Sequence, residues 1–214
     1  MPKQPNLLEA VRKKRGYLLS YHRLLNDIHP ELLRTYDAFY TRFTLADNVL
    51  TPVEKETVWI ALAAATRARV GTIHLKRAVK AGMGKDAIAE AVALAAACES
   101  LAALKFSEDA FSQWVDERRL VKRYLRAFDA ARGRTRPVLA DIAAVVAHAG
   151  RRCASGMRIH LVRAFKAGAK RAQVAEALSF VLLHCGGPTM LAAMDCWIET
   201  AKKHHVSAPF RRNA

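Results

Sequence analysis

The chain has 214 residues, 52% of them hydrophobic and 25% charged, with a formal net charge of +16. That balance fits a globular protein with room for one large core or two small ones, and argues against a disordered chain. Aromatics at 7% give no stacking platform for single strands, so the basic charge is expected to draw small anions rather than make nucleic acid the main partner.

In chain order, the first expectation is an N-terminal extension over residues 1–29, carrying one helix from Leu7 to Leu25. Thr51-Pro52-Val53-Glu54 reads as an N-cap with Pro at the first helical position, followed by an Ala-rich helix toward Ala65. A helix through His74 stops at Gly82, which can take the left-handed cap conformation. The next begins near Lys85, with apolar positions at Ile88, Ala91, Val92 and Ala95. A later helix starts near Leu139, another passes through His160 to Gly168, and a third runs from about Lys170 to Leu183. Gly186-Gly187-Pro188 breaks the chain before a final helix from Thr189. No segment alternates as a strand would, so the class is all-α.

The chain repeats itself. Ile73–Ala91 reads IHLKRAVKAGMGKDAIAEA, and Ile159–Ala177, 86 residues downstream, reads IHLVRAFKAGAKRAQVAEA; eleven of nineteen positions are identical without a gap. Copy one is placed at 30–115, copy two at 118–205, and a basic tail at 206–214. Glu90 and Glu176 are expected to cap or pair inside their own copies.

The pattern of a His, an Ala four later, a Gly eight later and then Ala-Glu-Ala occurs as His74/Ala78/Gly82/Glu90 and His160/Ala164/Gly168/Glu176. It resembles the carboxymuconolactone decarboxylase / alkylhydroperoxidase D family. The resemblance implies an AhpD-like helical bundle of two units related by a pseudo-twofold. It also implies a homo-oligomer, a trimer first. In the peroxidase branch a CxxC pair precedes the His and an acid precedes the pair. The matching positions in copy two hold Asp141, Cys153, Gly156 and His160; in copy one they hold Lys55, Arg67, Val70 and His74, with Glu54 and Glu56 the nearest acids. The two-thiol motif is therefore broken in both copies. Cys153 stands seven residues before His160, about 10.5 Å along a straight helix, so contact needs the helix to begin at or after Cys153.

The decarboxylase branch lacks the thiol pair, keeps the His, and has a Gly-x-Pro turn like Gly186-Gly187-Pro188. The candidate catalytic residues are His160, Cys153, Asp141 and His74, with Arg67, Arg152 and Arg158 as candidate carboxylate-binding cations. The first function expected is His-centred acid–base chemistry on a small anionic or carbonyl substrate. The alternatives are a one-Cys peroxide-reducing protein working through Cys153, and a non-enzymatic scaffold for an anionic partner. Cys98, Cys185 and Cys196 read as core residues. His148, His184, His204 and His205 show no ligand spacing repeated in both copies, so no metal and no cofactor are assigned. No apolar run long enough for a membrane span and no leader are read, which sets a cytoplasmic expectation.

Overall fold

The computed structural model describes residues 6–210, and among them there are helices and no strand. Four residues of the expected basic tail, 211–214, lie outside the described residues. The chain divides into two compact units, one through Ala46 and one from Asp47 onward.

The first unit holds α1 (Leu7–Arg15), α2 (Ser20–Ile28) and α3 (Pro30–Tyr40), the last continuing into a π-helical turn over Thr41–Leu45. The single helix expected from Leu7 to Leu25 is two. Gly16 adopts φ 82° and donates its N–H to Arg12 O at 2.8 Å, a left-handed cap that ends α1. The unit's centre is polar. Buried Arg15 donates to Asp37 Oδ1 at 2.8 Å, its guanidinium lies 3.9 Å from the Tyr40 ring centroid, and Lys14 also pairs with Asp37. By its contacts α3 packs with α1 and α2, and this compact unit runs to Ala46.

The second unit is built on α4 (Pro52–Ala65) and α8 (Pro137–Gly150), which pack against each other. Every residue of α8 from Leu139 to Ala149 is buried. A helix this apolar on all sides has to sit in the middle, and its many alanines let neighbours approach closely. Both α6 (Lys85–Ala110) and α10 (Arg171–Cys185) pack against both central helices. Around them, α5 (Thr72–Lys80) packs on α4 through a short 3-10 turn at Arg69–Gly71. On the other side α7 (Glu117–Ala131) packs on α6, α9 (Ala154–Lys166) on α8, and α11 (Gly187–His204) on α9 and α10. The repeat is visible in backbone detail. Both central helices start with Pro, Arg67 and Arg152 follow them at φ 55° and 56°, and Gly82 and Gly168 both take φ 93°.

The two conserved-in-repeat glutamates do not serve their own copies, as the sequence suggested; they cross. Glu90 accepts from Arg134 N at 2.8 Å and from Thr135 N at 3.1 Å, in the loop before α8. Glu176 accepts from Val49 N at 2.7 Å and Leu50 N at 2.8 Å, in the loop before α4. Each copy's third helix thus fixes the start of the other copy's central helix. Removing one carboxylate leaves two loop amides unmatched, and Glu90→Ala and Glu176→Ala are each expected to cost about 1–2 kcal/mol in urea unfolding. The double variant should lose the sum, since the two braces share no partner.

One segment, Lys85–Ser107, is long and apolar enough to cross a membrane by length and composition, although none was expected. Its Ala91, Leu94, Ala95, Cys98 and Leu101 are buried against the protein core, and in all 28% of its apolar window is buried.

Candidate functional site

The copy-two site is a line of hydrogen-bonded side chains through the core of the second unit. His160, on α9, places Nδ1 2.7 Å from Asp141 Oδ1 on α8. Its Nε2 lies 2.6 Å from Tyr124 Oη on α7, and Tyr124 Oη lies 3.0 Å from His148 Nε2 on α8. Asp141 is held from a second side by Arg163 Nε at 2.8 Å, and Arg163 Nη2 also reaches Asp129 at 2.6 Å. Asp141, Tyr124, His148 and His160 are each at most 2% exposed.

The partners dictate where the protons sit. A carboxylate only accepts, so His160 carries its proton on Nδ1 and its Nε2 accepts from the Tyr124 hydroxyl. The phenol has one proton, already given to His160, so His148 must donate from Nε2 to the Tyr124 oxygen. Burial pushes both imidazoles toward the neutral form: His148 is lowered to about 3, with His160 and Arg151 adding to the effect, and His160 is lowered although Asp141 opposes it. Burial likewise raises the Tyr124 phenol, and pushes the Cys98 thiol up to about 12.

The copy-one site is simpler. His74 Nδ1 lies 2.8 Å from Glu56 Oε2, and the imidazole stacks on Trp59 with ring centroids 4.3 Å apart. His184 from α10 reaches Thr66 Oγ1 at 2.8 Å and meets the same Trp59 edge-on. Burial lowers His74, against the pull of Glu56. The acid matching Asp141 is therefore Glu56 and not Lys55. Copy two has one more residue between the start of its central helix and its His, which shifts a gapless comparison by one.

The candidate cations do not converge. Arg67 is a surface residue, its side chain 69% exposed and bonded to Glu99 at 2.7 Å, and it matches Arg152 rather than a family cysteine. Arg158 faces another side of α9, 3.6 Å from Glu199. Arg152 alone stays with the site: it donates to Thr189 Oγ1 at 3.2 Å and lines a cavity of about 40 Å³ shared with His148, Cys153, Met157 and Cys196. Cys153 is the N-cap residue of α9, partly exposed at that cavity, so the helix begins just after it.

Gly156, where the family's second cysteine would stand, is not an empty position. A Cβ built on it would overlap the imidazole of His148. Its counterpart Gly71 meets Ala63 in the same way, so Ala63 in copy one stands where His148 stands in copy two. Gly156→Cys therefore cannot restore a dithiol without displacing that ring. It is expected to destabilise the protein by about 1–3 kcal/mol. Adding His148→Ala should recover most of that loss in thermal unfolding.

His160 and Asp141 were legible from the sequence, whereas Tyr124, His148, Arg163 and Cys98 were not, since they come from separate helices with no shared spacing. The only available signal was a polar side chain inside an Ala- and Val-rich helix, as at His148.

The model of the carboxymuconolactone decarboxylase family matches residues 30–112 and again 119–199. No curated protein matches the chain. No solved structure matches it either.

Proposed function

From the premise that the chain belongs to the carboxymuconolactone decarboxylase family, we propose that it moves protons on a small anionic or carbonyl substrate through the line Asp141–His160–Tyr124–His148. The continuity of that line carries the reading. His148 is the member that also lines the cavity, and Arg152 stands beside it there to hold a carboxylate. As His148 takes a proton from substrate, its Nε2 proton passes to Tyr124 and the phenol proton to His160. The resulting imidazolium is stabilised by the Asp141 carboxylate 2.7 Å from its Nδ1. General acid–base transfer of this kind is worth about 10²–10⁴-fold in rate.

Small carboxylates and lactones are to be screened against wild type, Tyr124→Phe and Arg152→Ala. Tyr124→Phe keeps the ring and cuts the line, so kcat should fall about 100-fold with KM little changed. Arg152→Ala should raise KM. Equal turnover by wild type and Tyr124→Phe would sink the proposal.

A second reading, one-Cys peroxide reduction at Cys153, is favoured by the size of the cavity: about 40 Å³ admits a peroxide as it stands, whereas a lactone needs the α9–α11 side to open. Peroxide consumption with a thiol reductant that disappears in Cys153→Ala would select it. The reading also places the protein in the cytoplasm as a homo-oligomer, a trimer first; its four cysteines are free, which suits a reducing compartment.

A further inference from the structure

We propose that Cys98, Tyr124, His148 and His160 form a binding site for one transition-metal ion, zinc by the chemistry of its donors. The ligand atoms of Cys98, His148 and His160 lie within 4.8 Å of one another, and all three residues are buried. Tyr124 Oη stands beside all of them, 2.6 Å from His160 Nε2, 3.0 Å from His148 Nε2 and 3.9 Å from Cys98 Sγ. Tetrahedral zinc with bonds of about 2.0–2.3 Å sets neighbouring ligand atoms about 3.3–3.8 Å apart. The four atoms need shifts of about an ångström or less to reach that geometry.

Three further features fit an ion. The donors come one each from α6, α7, α8 and α9, so coordination would tie four helices together. Asp141 accepts the Nδ1 proton of His160, which turns the Nε2 lone pair inward, the arrangement that orients metal-bound imidazoles. Charge also balances: a dication is offset by the Cys98 thiolate and Asp141, while Arg163 and Asp129 offset each other. Two imidazoles and a thiolate select zinc or its neighbours over magnesium or calcium. Sequence spacing does not reveal the set, because no two of its members share a helix.

This inference does not rest on the acid–base reading. A bound ion takes the lone pair with which His160 holds the Tyr124 proton, so the loaded and proton-transferring forms exclude each other.

The test is titration of tag-free, chelator-treated full-length protein with cobalt(II), followed by absorption. One equivalent per chain should produce a thiolate-to-cobalt charge-transfer band and the intense visible bands of tetrahedral cobalt, and zinc should abolish both. Cys98→Ser should lose the charge-transfer band, and Cys153→Ser should keep it. Because Cys98→Ser replaces a buried residue, the wild-type spectrum stands as an independent test. Absence of the charge-transfer band from folded wild type overturns the proposal. So does a band that survives in Cys98→Ser or disappears in Cys153→Ser. Turnover plays no part in this readout, so its failure is separate from failure of the acid–base reading.

Discussion

Asp141→Ala is expected to lower stability by about 3–5 kcal/mol, the largest loss for any single change at the site. Asp141 is 2% exposed and accepts from both His160 Nδ1 and Arg163 Nε. Truncation leaves the buried His160 Nδ1–H and the Arg163 Nε–H without their acceptor, Arg163 keeping only Asp129, and a small void besides. Asp141→Asn separates these causes. It keeps the volume and one acceptor oxygen for His160 but removes the charge opposite Arg163, so it should cost about half as much. Urea unfolding by near-ultraviolet circular dichroism measures both. A loss below 1 kcal/mol for the alanine variant would mean that the carboxylate does not hold the site together.

Mild acid is expected to unfold this protein more readily than its carboxylates alone would allow. His148 is lowered from 6.5 to about 3, and burial also lowers His74, His160 and His184. In the unfolded chain these imidazoles regain ordinary values near 6.5. Between the folded and unfolded values the unfolded state binds more protons, so stability rises with pH there and falls as pH drops below about 6.5. Each such histidine contributes up to about 1.4 kcal/mol per pH unit. Carboxylates with lowered values, such as Glu90, act in the same direction but only below 4.5. Stability should therefore be level above pH 7 and drop between about 6.5 and 5, by about 2 kcal/mol from His148 alone, the other three histidines adding in the same direction. His148→Gln, which keeps the shape and cannot charge, should make that drop shallower. A flat profile down to pH 5 would contradict the neutral, buried state of these rings.

Much of the fold could be read in the chain because the duplication is written as local identity. The caps at Pro52 and Gly82, and the helices between them, follow from short-range signals that a sequence states openly. What the chain does not state is which surfaces meet. Glu90 and Glu176 carry the same sequence signature whether they brace their own copy or the other, and only packing decides. Gly16 was equally readable as a tolerated helical glycine, until its positive φ split the N-terminal helix in two.

The site divides along the same line. His160 and Asp141 were found because a repeat and a family pattern marked them. Gly156 was legible as a lost thiol, whereas the structure makes it the space that admits His148. Tyr124, His148 and Cys98 meet only because α6, α7, α8 and α9 cross near one point. Arg67 and Arg158, chosen for charge and position in the chain, face outward to Glu99 and Glu199.

Long-range ¹H–¹⁵N imidazole spectra of metal-free protein test, without a substrate, the proton arrangement of the line from Asp141 to His148. His160 is expected as a neutral ring protonated on Nδ1 and His148 as a neutral ring protonated on Nε2. Both should be unchanged from pH 8 down to the onset of unfolding. Tyr124→Phe should shift both rings. A His160 ring protonated on Nε2 alone, or either ring titrating near its ordinary value of about 6.5 in folded protein, would contradict it.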